Sequence, residues 1–160
     1  MISVTVIAVG KLKEDFYKAA VLEYAKRLSA YCRFEVTEVK DEKTPDNPTD
    51  AEKNLVLARE GERIRAKIPK GAKVIALCVE GKQMSSEELA DLISVTATGG
   101  ISHIVFIIGG SMGLSDEIKA LASLKLSFSK MTFPHMLMRV ILAEQIYRGF
   151  TIIDGKTYHK

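Results

Sequence analysis

LSFSKMTFPHMLMRVILAEQIYRGFTIIDGKTYHK, Leu126 to Lys160, sets the most polar and least regular loop of the chain directly before its most apolar helix. The pattern predicts a helix from about Pro134 to Phe150 carrying Met136, Leu137, Met138, Val140, Ile141, Leu142, Ala143, Ile146 and Tyr147. Such a helix is apolar nearly all round and needs cover on more than one side. A sheet edge covers only part of it, which predicts a homodimer in which the helix meets its symmetry mate, with Arg139 and Glu144 paired or facing a site at the interface. The preceding Ser127, Ser129, Lys130 and Thr132 supply hydroxyls, amides and backbone groups to a loop suited to wrapping a ligand.

Upstream of this segment the chain alternates short buried strands with helices. Ile2 to Val9 is a β-branched run ending at Gly10, as a buried parallel strand reads. A helical face follows from Asp15 to Ala30, then Arg33 to Val39 alternates apolar and polar residues, completing a β-α-β unit. Lys40 to Pro48, charged and holding two prolines, reads as a mobile loop. Thr49 to Glu52 and Ser85 to Glu88 both have capping-box spacing and open helices to about Lys67 and Ala97. Lys73 to Val79 and His103 to Ile108 read as buried strands, Asp116 to Leu121 as a short helix, and Leu124 to Ser127 as a last strand. The sum is an α/β chain with a five- to six-stranded, mostly parallel sheet and helices on both faces.

Composition narrows the function. At 160 residues the chain makes one domain. A net charge of +3 permits an RNA partner but falls short of the basic surface of a dedicated nucleic-acid binder. Cys32 and Cys78 lack metal-ligand spacing, so neither a metal site nor a disulfide framework is expected, and a reducing cytoplasm fits. No apolar run is long enough to span a membrane, and the N-terminus lacks a basic leader, so a soluble protein is expected.

Ligands of such sheets bind beyond the carboxyl ends of the strands, which directs attention to the loops after Leu77, Ile108 and Leu126. Gly109 to Gly113 lacks the dinucleotide spacing, and Gly155-Lys156-Thr157 lacks the upstream glycine and the helix of a phosphate loop. Of the three histidines, His103 reads as structural, while His135 at a helix start suits capping or orientation. His159, between Tyr158 and Lys160, suggests a tail that orders over something.

The blocks AVGKLK (Ala8 to Lys13), EGK (Glu80 to Lys82), IGGSMGL (Ile108 to Leu114), LSFSKMTFPH (Leu126 to His135), RVILAEQIYR (Arg139 to Arg148) and YHK (Tyr158 to Lys160) resemble those of RlmH-type SPOUT methyltransferases. The likeness spans nearly the whole chain. It implies a C-terminal trefoil knot, which the residues alone would not have suggested because knots are very rare. It further implies an obligate homodimer, S-adenosylmethionine as cofactor, and methylation at N3 of a pseudouridine in 23S rRNA of the assembled ribosome. Carried over residue by residue, the cofactor cradle is Leu77, Gly109, Phe128, Ser129, Lys130, Met131, Thr132 and Phe133. Tyr147 and His159 become candidates for substrate contact or proton removal, with Arg139 and Lys160 orienting RNA phosphate or favouring the anionic base. Two other classes stay open: a SPOUT methyltransferase acting on tRNA, and a ribosome-associated binding protein without turnover.

Overall fold

The computed structural model describes residues 1–160. In chain order the elements are β1 (Ser3–Val9), α1 (Asp15–Leu28), β2 (Arg33–Val39), α2 (Asp50–Lys67), β3 (Lys73–Gln83), α3 (Ser86–Thr98), β4 (His103–Ile108), α4 (Asp116–Leu121), β5 (Leu124–Ser127) and α5 (His135–Ile153). The five strands form one sheet in the order β2-β1-β4-β3-β5, and every neighbouring pair is parallel.

Period-2 alternation divides the interior into two cores. Val4, Val6 and Ala8 of β1, with Ile104, Phe106 and Ile108 of β4, point to one face and pack on Leu28 of α1, Leu89 and Ile93 of α3, and Leu142, Ile146 and Phe150 of α5. Ile7, Val9, Val105 and Ile107 point to the other and pack on Ile64 of α2 and Ile118 of α4. Crossovers toward β2 carry α1 and α3, whereas those toward β5 carry α2 and α4. Opposite directions on opposite faces are what a single crossover hand requires.

Both capping boxes form: Thr49 and Glu52 cap each other's backbone amides at 3.2 and 3.1 Å, and Ser85 and Glu88 do so at 3.0 and 2.7 Å. Strand β3 runs four residues beyond the expected Val79. A bulge between Leu77 and Lys82 restores pairing with β5, as Lys82 meets Leu126 and Gln83 meets Ser127. Gly81 makes this possible, because a Cβ there would stand 2.7 Å from the Lys125 carbonyl carbon and oxygen. The segment after β2 is also more fastened than its charge and prolines suggest. Arg63 donates to the Lys40 carbonyl at 3.0 Å and to Glu42 at 2.8 Å, and the Glu42 amide donates to Glu60 at 2.9 Å.

Helix α5 finds much of its cover within the chain, while Leu137, Val140 and Ile141 stay partly exposed. It lies on the sheet between α1 and α3, with Leu142, Ala143 and Ile146 fully buried. Gly149 lets α3 approach closely, since a Cβ there would sit 3.2 Å from Ile93 Cδ1. The expected pairing of Arg139 with Glu144 does not occur. Arg139, 2% exposed, instead donates to Glu38 at 2.5 Å and to the carbonyls of Val9 and Gly10 at 3.2 and 2.8 Å. Glu144 is held by Arg148 one turn along, at 2.5 Å. No helix is long and apolar enough to cross a membrane.

Burial alone would raise the Glu38 pKa, but the Leu12 amide and the Arg139 guanidinium outweigh it and hold the carboxyl below its ordinary range. Arg139→Met strands these acceptors, and we expect a loss of about 2–4 kcal/mol in urea unfolding at neutral pH. A depressed acid stabilises above its unfolded pKa and loses that contribution as pH falls through the folded one. The wild-type advantage therefore shrinks on acidification below the normal carboxylate range; an advantage unchanged at low pH would contradict the latch.

Candidate active site

A cavity of about 630 Å³ opens beyond the carboxyl ends of β3, β4 and β5. Its walls come from three loops that the sheet brings together. Leu77 to Glu80 follow the buried part of β3, Ile108 to Leu114 follow β4, and Ser127 to Met138 run from β5 into α5, with only Lys130, Met136 and Leu137 of that stretch turned away. Gly109 allows the β4 loop to fold back on itself. Gly113 donates to the Gly110 carbonyl at 3.0 Å, and a Cβ on Gly109 would overlap the Gly113 backbone. In the β5 loop, Ser127 donates to the Ser129 carbonyl and the Met131 amide donates to the Ser129 hydroxyl, both at 3.0 Å.

Side chains at the wall are apolar or neutral, with one charged pair at the edge. Lys119 and Glu80 meet at 2.5 Å, which lowers the Glu80 pKa and raises that of Lys119. Burial and then the Glu80 charge push the Cys78 thiol up, so it lines the cavity protonated and unsuited to nucleophilic attack. Burial, then the Arg139 charge, lowers the His135 pKa, leaving a neutral imidazole whose buried Nδ1 has no protein partner. No group of three or more His, Cys, Asp or Glu is placed to hold a metal ion. The arrangement suits holding a ligand by backbone groups and apolar contact more than attacking it.

Of the cradle residues expected from sequence, Leu77, Gly109, Phe128, Ser129, Met131, Thr132 and Phe133 line this cavity, whereas Lys130 is exposed outside it. Arg139, Tyr147, His159 and Lys160 do not line it. Arg139 is enclosed by its three acceptors and has no face for a phosphate. From His135 to Tyr147, α5 advances about 18 Å, at about 1.5 Å per residue, which takes Tyr147 well away from the cavity of its own chain.

Tyr147 instead belongs to a cluster at the far end of α5, where the tail docks. Its ring centroid lies 4.8 Å from that of Tyr158 and 6.3 Å from that of Tyr24. The Tyr158 hydroxyl donates to Glu144 at 3.2 Å, and the Arg148 guanidinium stacks 4.9 Å from the Tyr158 ring. His159 bridges Glu87 of α3 at 2.7 Å and Arg148 at 3.1 Å. The tail orders, and what it orders over is its own α5 and α3. Sequence reading missed the partners Glu38 and Glu87, which sit in other elements; nothing local in sequence marks them.

Residues 2–159 match the family model described as "Predicted SPOUT methyltransferase". The chain belongs to the RlmH family of SPOUT methyltransferases. The protein called "Ribosomal RNA large subunit methyltransferase H" in Clostridium kluyveri is 53% identical over 158 residues, covering 99% of each chain. The protein of the same name in Bacillus pumilus is 51% identical over 158 residues with the same coverage. A solved structure of "a probable methylase family protein" from Haemophilus influenzae superposes with a TM-score of 0.55 over 99% of this chain and 71% of that one. At 11% identity it speaks for the fold alone. Membership in the SPOUT family makes the chain a methyltransferase that uses a methyl donor.

The glycine loop gives a direct check. In Gly109→Ala the added methyl overlaps the Gly113 backbone, and we expect calorimetry to show a destabilisation of about 1–3 kcal/mol. An unchanged melting temperature would mean that the loop does not need this close approach.

Proposed function

We propose that this chain transfers a methyl group from S-adenosylmethionine to N3 of a pseudouridine in 23S rRNA of the assembled ribosome. The observation that carries the reading is the cavity at the strand ends, built from loops in which the family's sequence blocks lie. Its volume falls within the roughly 300–1,000 Å³ of small-molecule sites, and its apolar walls and exposed backbone groups suit a purine joined to an amino acid. Leu77, Gly109, Phe128, Ser129, Met131, Thr132 and Phe133 would hold the cofactor, with Lys130 turned outward. S-adenosylmethionine supplies an electrophilic methyl on a sulfonium sulfur. The protein's part is to hold the acceptor nitrogen in line with it, dry and at near-attack distance.

The relatives are named for large-subunit ribosomal RNA, and this supports the same substrate class here. A net charge of +3 is modest for capturing free RNA by charge alone, which favours recognition of an assembled particle over tRNA. We also read the segment from β5 into α5 as the strand of a trefoil knot that passes beside the glycine loop. Free thiols at Cys32 and Cys78 suit work in the cytoplasm.

We further infer a homodimer whose active site is completed between chains. Tyr147, His159 and Lys160 sit away from the cavity of their own chain, so a role for them at the reacting base requires a second copy. The partly exposed Leu137, Val140 and Ile141 line one stripe of α5 and offer it a surface. Arg139 then acts as a positioning residue, seating the start of α5, while Tyr147, His159 and Lys160 are the groups that meet RNA.

Labelled methyl from S-adenosylmethionine should appear on a pseudouridine of intact ribosomes from cells lacking this gene, and not on bulk tRNA. His159→Ala should keep cofactor binding and lose at least about tenfold in rate. Label on tRNA would replace the substrate. Cofactor binding without transfer to either RNA would favour a binding protein, and a normal rate for His159→Ala would remove that residue from the site.

A further inference from the structure

A second cavity, of about 480 Å³, adjoins the first beyond the ends of β1 and β2. Gly110, Ser111 and His135 line both, so a ligand in one stands beside a ligand in the other. Its character is different. Only Val9 and Met136 are apolar in its wall, and Glu60 of α2 faces it while only 5% exposed.

Glu60 has an unusual position for a carboxylate. One oxygen, Oε2, accepts the Glu42 amide at 2.9 Å, and the side chain has no salt-bridge partner, because Arg63 is engaged by Glu42 and the Lys40 carbonyl. The other oxygen, Oε1, has no protein donor; both oxygens lie beside the Gly110 backbone that separates the cavities, 3.5 and 3.7 Å from where a Cβ on Gly110 would stand. Burial, and after it the Asp41 charge, raises the Glu60 pKa, while the Glu42 amide lowers it. A ligand offering an N–H would give Oε1 a donor at the cavity wall.

The wall also excludes other ligand classes. Glu14 and Asp41 stand alongside Lys11, Lys13 and Lys43, so the cavity is no anion trap, although the exposed lysines suit a phosphodiester running past the mouth. No carboxylate and histidine group is placed to hold a metal. A flat base with ring N–H groups, drawn out of its stack, fits these requirements.

In pseudouridine the ring joins ribose through carbon, so N1 and N3 both carry hydrogen and flank one carbonyl. In uridine N1 is bonded to the sugar. N3, the position methylated, must face the cofactor cavity, and N1, on the other side of that carbonyl, is then open to be read by the second one. We propose that the second cavity receives the acceptor base and that Glu60 accepts its N1–H, making Glu60 the residue that tells pseudouridine from uridine. This rests on the functional reading above.

Glu60→Gln is nearly isosteric. The Glu42 amide keeps the amide oxygen of the new side chain and leaves its NH₂ facing the cavity, a donor opposed to a donor. The test is co-sedimentation of the full-length protein, with S-adenosylhomocysteine present, with ribosomes carrying either pseudouridine or uridine at the acceptor position. The wild type should bind pseudouridine ribosomes about tenfold more tightly, and Glu60→Gln should bind both with the weaker affinity. Calorimetric affinity for S-adenosylhomocysteine should not change, which a general loss of structure would not allow. Should Glu60→Gln not fold, Glu60→Asp, which keeps the charge but withdraws it, replaces it in the same comparison. A preference that survives the substitution, an equal loss on both ribosomes, or no preference in the wild type would overturn the assignment. Methyl transfer by the wild type to pseudouridine ribosomes is measured alongside: its absence sinks the functional reading, whereas its presence without a binding preference sinks only the role of Glu60.

Discussion

The buried guanidinium of Arg139 is the constraint from which the rest of the site follows. It reaches from the second turn of α5 to the carboxyl ends of β1 and β2, where it meets Glu38 and the Val9 and Gly10 carbonyls. Glu38 in turn receives the Leu12 amide, so a single ion pair fixes two strand ends, the loop after β1 and the start of α5. A charge this deep is tolerated only with such partners, and removing one strands the others. The seat it gives α5 sets His135 between the two cavities, neutral and with one nitrogen free.

Because every strand pair is parallel, all five carboxyl ends lie on one side, and each loop that leaves them contributes to a shared rim. The loops after β3, β4 and β5 enclose the larger, mostly apolar cavity, and those after β1 and β2 enclose the smaller, polar one. Adjacent chambers of opposite character suit a reaction between two molecules, one held by apolar contact and backbone groups, the other read by buried polar atoms. The tail chemistry lies elsewhere in the chain, so the role proposed for it at that rim requires a second copy.

Much of the fold was legible because its signals are local. β-Branched runs marked β1 and β4, and serine or threonine three residues before glutamate marked the starts of α2 and α3. The loops that line the larger cavity were legible because they follow those strands, and the ligand proposed for them comes from the resemblance to RlmH-type enzymes. What stayed hidden depends on distant contacts. The extension of β3 needs Gly81 to pass against the Lys125 backbone, and the partner of Arg139 lies in β2, far off in sequence. Glu144 stood out as a possible partner because it and Arg139 are polar residues on an otherwise apolar helix. Glu60 left a trace that was not read: it stands four residues from both Val56 and Ile64, on the buried face of α2, where an ordinary helix would place an apolar side chain.

The central claim is that cofactor cavity and tail meet between two chains, and mixing two defective variants tests it most directly. Gly109→Ala damages the cavity and His159→Ala the tail, so each homodimer should methylate ribosomes poorly. Unfolded and refolded together, they form mixed dimers in which one composite site retains both an intact cavity and an intact tail. Activity well above either parent would be the result this account predicts. Mixed dimers, verified by differential tagging, that remain as inactive as their parents would contradict it.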